Sequence, residues 1–345
     1  MVERKPIDVF GMTTSELASL CDELGEPRYR AEQLADWLYR KGVRDFSAMT
    51  NLPKTLRERL KECAALTRAE VVAKHAADDG TTKFLLKLSD GETVESVLLP
   101  YPDRVSVCVS TQVGCPVGCV FCATGASGFV RNLTAGEIVD QVLTLSEASR
   151  ATHVVFMGMG EPLLNFENVL KAVRLLHDEV GISMRRMTVS TVGITPAIRR
   201  MADLKLQLTL AVSLHAPDQD LRAQLIPLSA KYPLDELLQV CRSYANYTKR
   251  RITFEYLLLA GINDSPSHAA RLAKILKGTL CHVNLIPFNE VPEADFKRPS
   301  ERVIAAFRAV LERSGVQVTQ RVERGHAVAA ACGQLRRRSA GGALS

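Results

Sequence analysis

The sequence predicts an α/β fold, in which a small N-terminal helical domain precedes a partial, TIM-like (βα)6 barrel. Two observations lead to this prediction. Residues 14–66 repeat apolar residues at helical spacing, and from residue 104 onward short apolar strands alternate with amphipathic helices. Such alternation predicts parallel strands joined by crossover helices. Eight units would close a TIM barrel, so six predict an open, partial one.

The N-terminal domain is predicted over residues 1–70. Ser15 stands ahead of Leu17 and Leu20, which are apolar residues at helical spacing, and is therefore a candidate N-cap. A further helix is expected to begin after Pro53, because proline fits the first turn of a helix.

A basic surface is expected on these helices. Between residues 28 and 61 the chain carries nine basic residues against four acidic ones. The basic residues are Arg28, Arg30, Arg40, Lys41, Arg44, Lys54, Arg57, Arg59 and Lys61. Such a run is either a solvated helix face or a surface that contacts the phosphates of a folded RNA, and the residues alone leave both interpretations open.

Residues 71–103 are predicted to link the two domains as short antiparallel strands, since apolar runs flank the turn-forming dipeptide Asp90-Gly91. Residues 104–335 form the predicted barrel. Its strands are expected at 104–110, 152–157, 186–191, 207–213, 251–259 and 281–287. Its helices are expected at about 134–149, 166–179, 195–203, 234–247, 266–277 and 300–314. Residues 336–345 are a basic tail that is expected to be disordered.

Three thiols lie within eight residues, as Cys115, Cys119 and Cys122, directly after the first predicted strand of the barrel. A structural zinc site needs four ligands, usually as two separated pairs. A c-type haem attachment needs histidine after the last cysteine, where Ala123 stands. A thioredoxin-like pair would leave Cys115 unexplained. The spacing therefore predicts a cubane iron–sulfur cluster held by three thiolates, with one iron open to another ligand.

Composition is that of a globular protein. The 345 residues are 46% hydrophobic and 24% charged. The N-terminal segment carries charges where a signal peptide has an apolar run, and no stretch approaches the roughly 18 apolar residues of a membrane span. Nine cysteines without paired spacing fit a reducing compartment, so we expect a cytoplasmic protein without membrane association. The net charge of +6 permits a nucleic-acid partner without requiring one.

The cysteine motif resembles the signature of radical S-adenosylmethionine (SAM) enzymes, and further segments narrow the resemblance. They are Cys108-Val-Ser-Thr-Gln-Val-Gly-Cys115, residues 125–134 (GASGFVRNLT), Gly158-Met-Gly-Glu-Pro162, Ser213-Leu-His-Ala-Pro217 and Ala330-Ala-Cys332-Gly-Gln-Leu335. Together they are similar to the RlmN/Cfr family of RNA adenosine methyltransferases, over nearly the whole chain to about Leu335. The implied fold is the radical SAM partial barrel, whose open side admits a large substrate.

The resemblance implies two cofactors. Cys115, Cys119 and Cys122 would hold a [4Fe-4S] cluster, whose open iron binds SAM, and two SAM molecules would be consumed per turnover. The implied SAM-binding residues are Gly160, Glu161, Ser190, Ser213, Leu214, His215 and Asn289. Without the resemblance, the Gly-Met-Gly-Glu segment could be an ordinary glycine turn, and His215 a structural histidine.

The resemblance also implies three reactive residues. Cys332 would receive a methyl group from one SAM, and a radical made from a second SAM would activate that methyl group for addition to adenine. Glu95 would accept the ring proton, and Cys108 would release the product by forming a disulfide with Cys332. Without the resemblance, both cysteines would more often be buried and inert, and Glu95 an exposed strand carboxylate.

The predicted function is methylation of adenine C2. The implied substrates are an adenosine in the peptidyl transferase loop of 23S rRNA and the adenosine 3′ of the anticodon in tRNAs. A Cfr-type enzyme, which methylates C8 and confers antibiotic resistance, is the alternative within the family. A non-catalytic RNA-binding protein would not need the additional cysteines. A methylthiotransferase would need a second cluster, for which Cys21, Cys63, Cys241 and Cys281 are too scattered.

The implied partners are 23S rRNA, tRNA and an electron donor such as flavodoxin, and the protein is expected to be a monomer. One departure from the family lies before Cys332. His326 and Ala327 stand where family members often carry acidic residues, which bears on substrate preference.

Overall fold

The computed structural model describes residues 6–292, 294–322, 324–325 and 328–336. The N-terminal domain is helical, as predicted. Its helices are α1 (Thr14–Glu23), α2 (Arg30–Ala35) and α3 (Lys54–Cys63), with a π-helical turn at Asp36–Arg40 and a 3₁₀ turn at Phe46–Ala48. Two short parallel strands, β1 (Ile7–Asp8) and β2 (Ala64–Ala65), close the domain.

The first helix begins earlier than the sequence suggested. Thr13, not Ser15, is the N-cap, since its side chain accepts a hydrogen bond from the backbone N–H of Glu16. The Glu16 carboxylate accepts a hydrogen bond of 2.7 Å from the backbone N–H of Thr13, which completes a capping box. Ser15 lies inside the first turn, so the prediction of Ser15 was wrong.

The barrel strands lie within one residue or two of the predicted ranges. They are β6 (Val105–Cys108), β9 (His153–Phe156), β10 (Met187–Thr191), β11 (Thr209–Ser213), β12 (Ile252–Leu258) and β13 (Cys281–Pro287). A further short strand, β14 (Val318–Gln320), which was not predicted, pairs with β13. All of these strands are parallel. Their near-continuous apolar runs reflect burial of both faces of the sheet.

The crossover helices match the prediction within one residue at each end, except that the first of them ends three residues earlier than predicted. They are α5 (Ala135–Ser146), α6 (Phe166–Asp178), α7 (Thr195–Asp203), α9 (Leu234–Thr248), α10 (Pro266–Leu276) and α11 (Glu301–Arg313). Two short helices, α4 (Ala123–Ala126) and α8 (Gln219–Leu225), lie in loops at the carboxyl end of the sheet. A hairpin of β7 (Gln112–Gly114) and β8 (Phe129–Asn132) encloses the cysteine loop.

The segment predicted to link the domains extends the barrel sheet. It forms β3 (Glu70–Ala76), β4 (Thr82–Lys87) and β5 (Thr93–Pro100), which are antiparallel, and β5 pairs with β6. In the described residues the strand order is β14-β13-β12-β11-β10-β9-β6-β5-β4-β3, so the sheet is open, as a partial barrel requires. Nearly all of β5 is buried, which explains why it packs as a barrel strand.

The N-terminal domain packs on α5 and α6. The Arg68 guanidinium of the N-terminal domain forms an ion pair with the Asp140 carboxylate of α5, and both side chains are almost fully buried. A Cβ atom on Gly11 would lie 2.7 Å from the backbone nitrogen of Gly136, so the two chain segments touch through their backbones. None of the helices described is long and apolar enough to cross a membrane.

The described residues of 321–336 (321–322, 324–325 and 328–336), which we call the C-terminal segment, lie across the open side of the sheet. The backbone N–H of Gly325 donates to the Asp79 carboxylate at 3.1 Å, and the Arg324 guanidinium donates to the Pro100 carbonyl at 2.7 Å. The segment that contains Cys332 is therefore fastened to the turns that flank β4 and β5.

Candidate active site

The three thiols of the cysteine loop converge on one cavity at the carboxyl end of the sheet. Cys115, Cys119 and Cys122 all contribute to its lining. Burial raises the pKa of each thiol, for Cys115 to about 12. Neighbouring donors partly offset this effect, since Cys115 lies close to the backbone N–H of Val117, and Cys122 to that of Gly125.

This donor set fits a cubane cluster. No three Cys, His, Asp or Glu side chains in the described ranges converge closely enough to hold a single metal ion. A cubane is larger, and each of its thiolates binds a separate iron at a separate corner. Backbone N–H groups near the sulfurs are the usual means by which proteins stabilise such a cluster.

Glycines bring the Gly158–Glu161 turn against the strand that leads to the cysteine loop. A Cβ on Gly158 would lie 2.7 Å from the Val109 carbonyl oxygen, and one on Gly160 would lie 2.6 Å from Cβ of Gln112. Gly160 also has φ +100°, which favours glycine. The Gln112 amide oxygen accepts a hydrogen bond of 2.9 Å from the backbone N–H of Glu161. The glycines therefore serve close backbone packing beside the cavity.

Glu161 places a buried carboxylate in the lining of the cavity. Its two oxygens accept hydrogen bonds from the backbone N–H groups of Val192 at 2.8 Å and Leu163 at 2.9 Å. Burial raises the pKa of this carboxyl to about 7, and the hydrogen bonds act in the opposite direction. The group is thus fixed in place and has no cationic side chain among its described partners.

Four more of the predicted SAM-binding residues lie on the same cavity, and two do not. Gly160, Ser190, Ser213 and His215 line it with Glu161. Asn289 lines a second, adjoining cavity, and its buried Oδ1 has no hydrogen-bond partner in the described structure. The Leu214 side chain is fully buried and lines neither cavity. Only its backbone could contact a ligand.

His215 is neutral and has a defined tautomer. Its Nδ1 accepts a hydrogen bond of 3.0 Å from the backbone N–H of Leu257, so the ring proton lies on Nε2. Burial, followed by the charge of Arg222, lowers its pKa to about 3. The backbone at His215 has φ +60°, and the Asn263 side chain donates to its carbonyl at 2.8 Å. His215 can therefore offer one N–H donor to a ligand.

Cys108 and Cys332 share the second cavity. Both are free thiols in this structure. Burial, with a smaller contribution from Cys332, raises the pKa of Cys108 to about 12. The Asn289 side chain donates to the Cys332 carbonyl at 3.4 Å. Cys332 also lines the first cavity, so it stands between the cysteine loop and Cys108.

Glu95 lies under the C-terminal segment. It is fully buried on β5 and forms an ion pair of 3.2 Å with Lys83, which is also buried. The second carboxylate oxygen of Glu95 accepts from the backbone N–H of Arg336 at 2.9 Å, and Lys83 donates to the Ala329 carbonyl at 3.2 Å. Glu95 contributes to neither cavity lined by Cys332. The alternative interpretation, in which Glu95 is an exposed strand carboxylate, is wrong.

Ser110 and Gln141 were missed by sequence reasoning. The Ser110 hydroxyl donates to the Glu95 carbonyl at 2.7 Å and accepts from the backbone N–H of Met159 at 2.9 Å. The Gln141 side chain on α5 bonds both the N–H and the carbonyl of Ser110. These two residues tie β5, β6 and the glycine turn together. No local pattern marks them, because their partners are distant in sequence.

Two arginines, one fully buried and one partly buried, were also missed. Arg222 is fully buried, and its guanidinium donates to the Val192 carbonyl and lies near Cys119. Arg321 lines both cavities. The proximity of Cys332 raises its pKa above the usual range, against the effect of burial, and Glu255 and Cys108 contribute further. His326, Ala327 and the tail beyond residue 336 lie outside the described residues.

Comparisons with known proteins show the family of this chain. Residues 109–273 match the family model described as "Radical SAM superfamily", and residues 7–66 match "Ribosomal RNA large subunit methyltransferase N-terminal domain". The chain is 53% identical, over 97% of its length and 96% of the relative, to the "Probable dual-specificity RNA methyltransferase RlmN" of Gloeobacter violaceus. It is 50% identical, over 97% of its length and 92% of the relative, to the protein of the same name from Symbiobacterium thermophilum.

A solved structure is similarly close. The crystal structure of a radical SAM methyltransferase from Sphaerobacter thermophilus is 49% identical in sequence and superposes with a TM-score of 0.91. The match covers 96% of this chain and 99% of the other. The similarity therefore includes the N-terminal domain, the barrel and most of the C-terminal segment.

Proposed function

This chain belongs to the RlmN family of radical SAM methyltransferases, and on that basis we propose that it methylates C2 of adenosine in RNA. The substrates are the peptidyl transferase loop of 23S rRNA and the adenosine 3′ of the anticodon in tRNAs. The relatives are named as dual-specificity RNA methyltransferases, which supports two classes of RNA substrate. The reaction takes place in the cytoplasm, where these RNAs are found.

The observation that carries the proposal is the position of Cys332 between two cavities. On one side lie the three thiols of the cysteine loop and the carboxylate of Glu161. On the other side lies Cys108. A sulfur that first receives a methyl group, then delivers it, and is finally attacked by a second thiol needs access to all three partners.

The first cavity suits SAM and a cluster. Cys115, Cys119 and Cys122 would hold a [4Fe-4S] cluster, and Glu161 would accept a hydrogen bond from the amino group of SAM. The unpartnered Oδ1 of Asn289, which faces the adjoining second cavity, is a further acceptor. When bound, the cluster and SAM supply the methyl group and the one-electron chemistry that activates it, with two SAM molecules consumed per turnover and an electron donor such as flavodoxin.

The protein's own residues carry the remaining steps. The Cys332 sulfur accepts the methyl group and then joins adenine C2 through one methylene carbon. Addition leaves an unpaired electron on the adduct; a base, for which Glu95 is our candidate, removes the proton on C2, and the unpaired electron returns to the redox centre that supplied it, so that the ring is aromatic again. The Cys108 thiolate then attacks the Cys332 sulfur, so that a sulfur–sulfur bond forms and the carbon–sulfur bond breaks. The released carbon takes up a proton to become the new methyl group, and the disulfide must be reduced before the next turnover.

The position of Glu95 sets a condition on its role. Its carboxylate is bonded to Lys83 and to the backbone of Arg336. To reach a substrate base it must exchange one of these partners, which requires the C-terminal segment to shift. The same contacts explain a second task, since Glu95 and Lys83 together hold both ends of the stretch that carries Cys332.

The regiochemistry is tested by mass spectrometry of the modified nucleoside. We expect 2-methyladenosine in RNA incubated with the cluster-loaded protein, SAM and a reductant. The matched control is the Cys332→Ala variant, which should leave the RNA unmodified. Formation of 8-methyladenosine would assign the chain to the Cfr-type reaction instead, and unmodified RNA from the wild-type protein would contradict the proposal.

A further inference from the structure

A third cavity lies at the opposite end of the barrel from the cysteine loop. Arg104 precedes β6, and Arg185 and Arg186 precede β10, while His153 is the first residue of β9. The starts of parallel strands meet at one edge of a sheet, so these side chains converge there. We call Arg104, Arg185 and Arg186 the basic mouth.

The cavity at the basic mouth adjoins the cavity of the reactive cysteines. Its cavity shares Leu99, Tyr101 and Arg321 with the cavity that is lined by Cys108 and Cys332. Strand β9 spans this distance with four residues, His153–Phe156. At about 3.3 Å per residue the interior path is about 10 Å long. That length is comparable with one extended nucleotide from its phosphate to the edge of its base.

The arginines of the mouth are poorly neutralised. Among the described residues, neither the Arg185 nor the Arg186 side chain makes an ion pair or a side-chain hydrogen bond, and both are exposed. Arg104 contacts Asp103 at 3.3 Å on the surface. Burial lowers the pKa of His153, and the charges of Arg186 and Arg104 lower it further, against a smaller opposite effect of Asp103. The local potential at the mouth is therefore positive.

The basic surface of the N-terminal domain differs in this respect. Eight of its nine basic side chains are bonded within the protein, to carboxylates, amides or backbone carbonyls. They are Arg28, Arg30, Arg40, Lys41, Arg44, Arg57, Arg59 and Lys61. A phosphate that binds there must displace an internal partner. At Arg185 and Arg186 it need displace only water.

We propose that Arg104, Arg185 and Arg186 bind phosphodiester groups of the substrate RNA, so that the target adenosine enters the barrel from the start of its strands. The proposal rests on the proposed function and adds the route and the phosphate site. The first cavity is reserved for the cluster and SAM, so the base must approach Cys332 from elsewhere. An adenosine flipped out of the RNA would extend through the second cavity, while arginines fix the flanking backbone by bidentate contacts. Such contacts position an RNA without reading its sequence.

The test is RNA binding by the double variant Arg185→Gln, Arg186→Gln. Binding of an unmodified tRNA transcript to the cluster-loaded protein is measured without reductant, between about 50 and 200 mM salt. We expect the slope of log affinity against log salt to fall by about 1.4, since each lost single-strand phosphate contact removes about 0.7. Affinity at low salt should fall about tenfold. In turnover assays the loss should appear chiefly as a higher KM for RNA.

The matched control is Arg302→Gln, Arg313→Gln on α11, which removes the same charge from two exposed arginines outside the three cavities. Its slope and KM should equal those of the wild type. The thermal midpoint reports whether each variant is folded. The mass of the Cys332 peptide shows whether Cys332 is methylated, and so reports on SAM chemistry without RNA. Suppose that the wild type methylates RNA and that both double variants bind and methylate RNA as the wild type does. The RNA-binding role of the basic mouth is then contradicted, while the proposed function stands. If the wild type leaves RNA unmodified, the proposed function itself fails.

Discussion

At the residue scale, Glu161 shows how strongly the fold perturbs a single group. Its carboxyl is fully buried, and burial raises its pKa from 4.5 to about 7. Between these values the folded protein keeps a proton that the unfolded chain releases. The free energy of unfolding contributed by this group therefore falls as the pH rises from about 4.5 to about 7. The full loss is about 3 kcal/mol in the cluster-free protein.

A glutamine at this position isolates the effect. The free energy of unfolding of cluster-free Glu161→Gln, minus that of the wild type, should increase by about 2–3 kcal/mol between pH 5 and pH 8. Urea titrations at the two pH values measure this difference, in which other titrating groups cancel. A difference that stays constant with pH would mean that Glu161 is ionised over the whole range, and that burial does not perturb its carboxyl as the structure indicates.

The site residues that could be predicted from the sequence are those that belong to a short motif. Cys115, Cys119 and Cys122 are close in sequence, and the structure brings them to one cavity as expected. Arg321 and Gln141 carry no such mark, because what distinguishes them is the set of distant groups they meet after folding. The buried pairing of Glu95 with Lys83 depends likewise on strand register. The sequence specifies this register only through the pattern of apolar and polar residues along both strands.

At the element scale, the Gly158–Glu161 turn is the piece whose shape most directly supports the site. Gly160 combines φ +100° with tight packing, because a Cβ atom added to it would lie 2.6 Å from Cβ of Gln112. Gly181, after α6, has φ +86° but open space around it. Alanine substitutions at the two glycines therefore distinguish the cost of backbone strain from the cost of steric conflict.

We expect Gly181→Ala to cost about 1 kcal/mol of stability from backbone strain alone. Gly160→Ala should cost at least about 2–3 kcal/mol, because the strand that leads to the cysteine loop must move as well. A cubane cluster contains about four irons, and the anaerobically reconstituted Gly160→Ala protein should hold fewer. Urea titration and iron analysis measure both effects. Equal stability losses with full iron in both variants would show that the close packing of Gly160 does not support the cluster site.

Strands and helices of the barrel were predictable because burial on both faces leaves strong apolar runs and amphipathic periods in the sequence. The antiparallel segment and its strands β4 and β5 were also recognised, but the pairing of β5 with β6 was not, since pairing across a turn of four residues leaves no periodic signal. The C-terminal segment was the least predictable element. Its position depends on bonds to Asp79, Lys83 and Pro100, which lie 224 to 246 residues earlier in the chain than their partners.

At the scale of the whole molecule, the fold brings the first barrel strand and the C-terminal segment together. Cys108 closes the first barrel strand, and Cys332 lies near the end of the described residues, yet both line one cavity. The sheet and the C-terminal segment both contribute residues to the lining of this cavity. Arg321 lines all three cavities, to which we assign the cofactors, the reactive sulfurs and the RNA backbone respectively.

The central claim is that the Cys332 sulfur carries the methylene group to RNA and that Cys108 releases it. The most direct measurement is a denaturing gel of Cys108→Ala after reaction with RNA, SAM and reductant. All steps before release should proceed in this variant, so a covalent complex with RNA should accumulate through Cys332. Additional loss of Cys332 should abolish the complex, because the two residues act in one sequence of steps. A Cys108→Ala protein that turns over freely and forms no covalent complex would contradict the account.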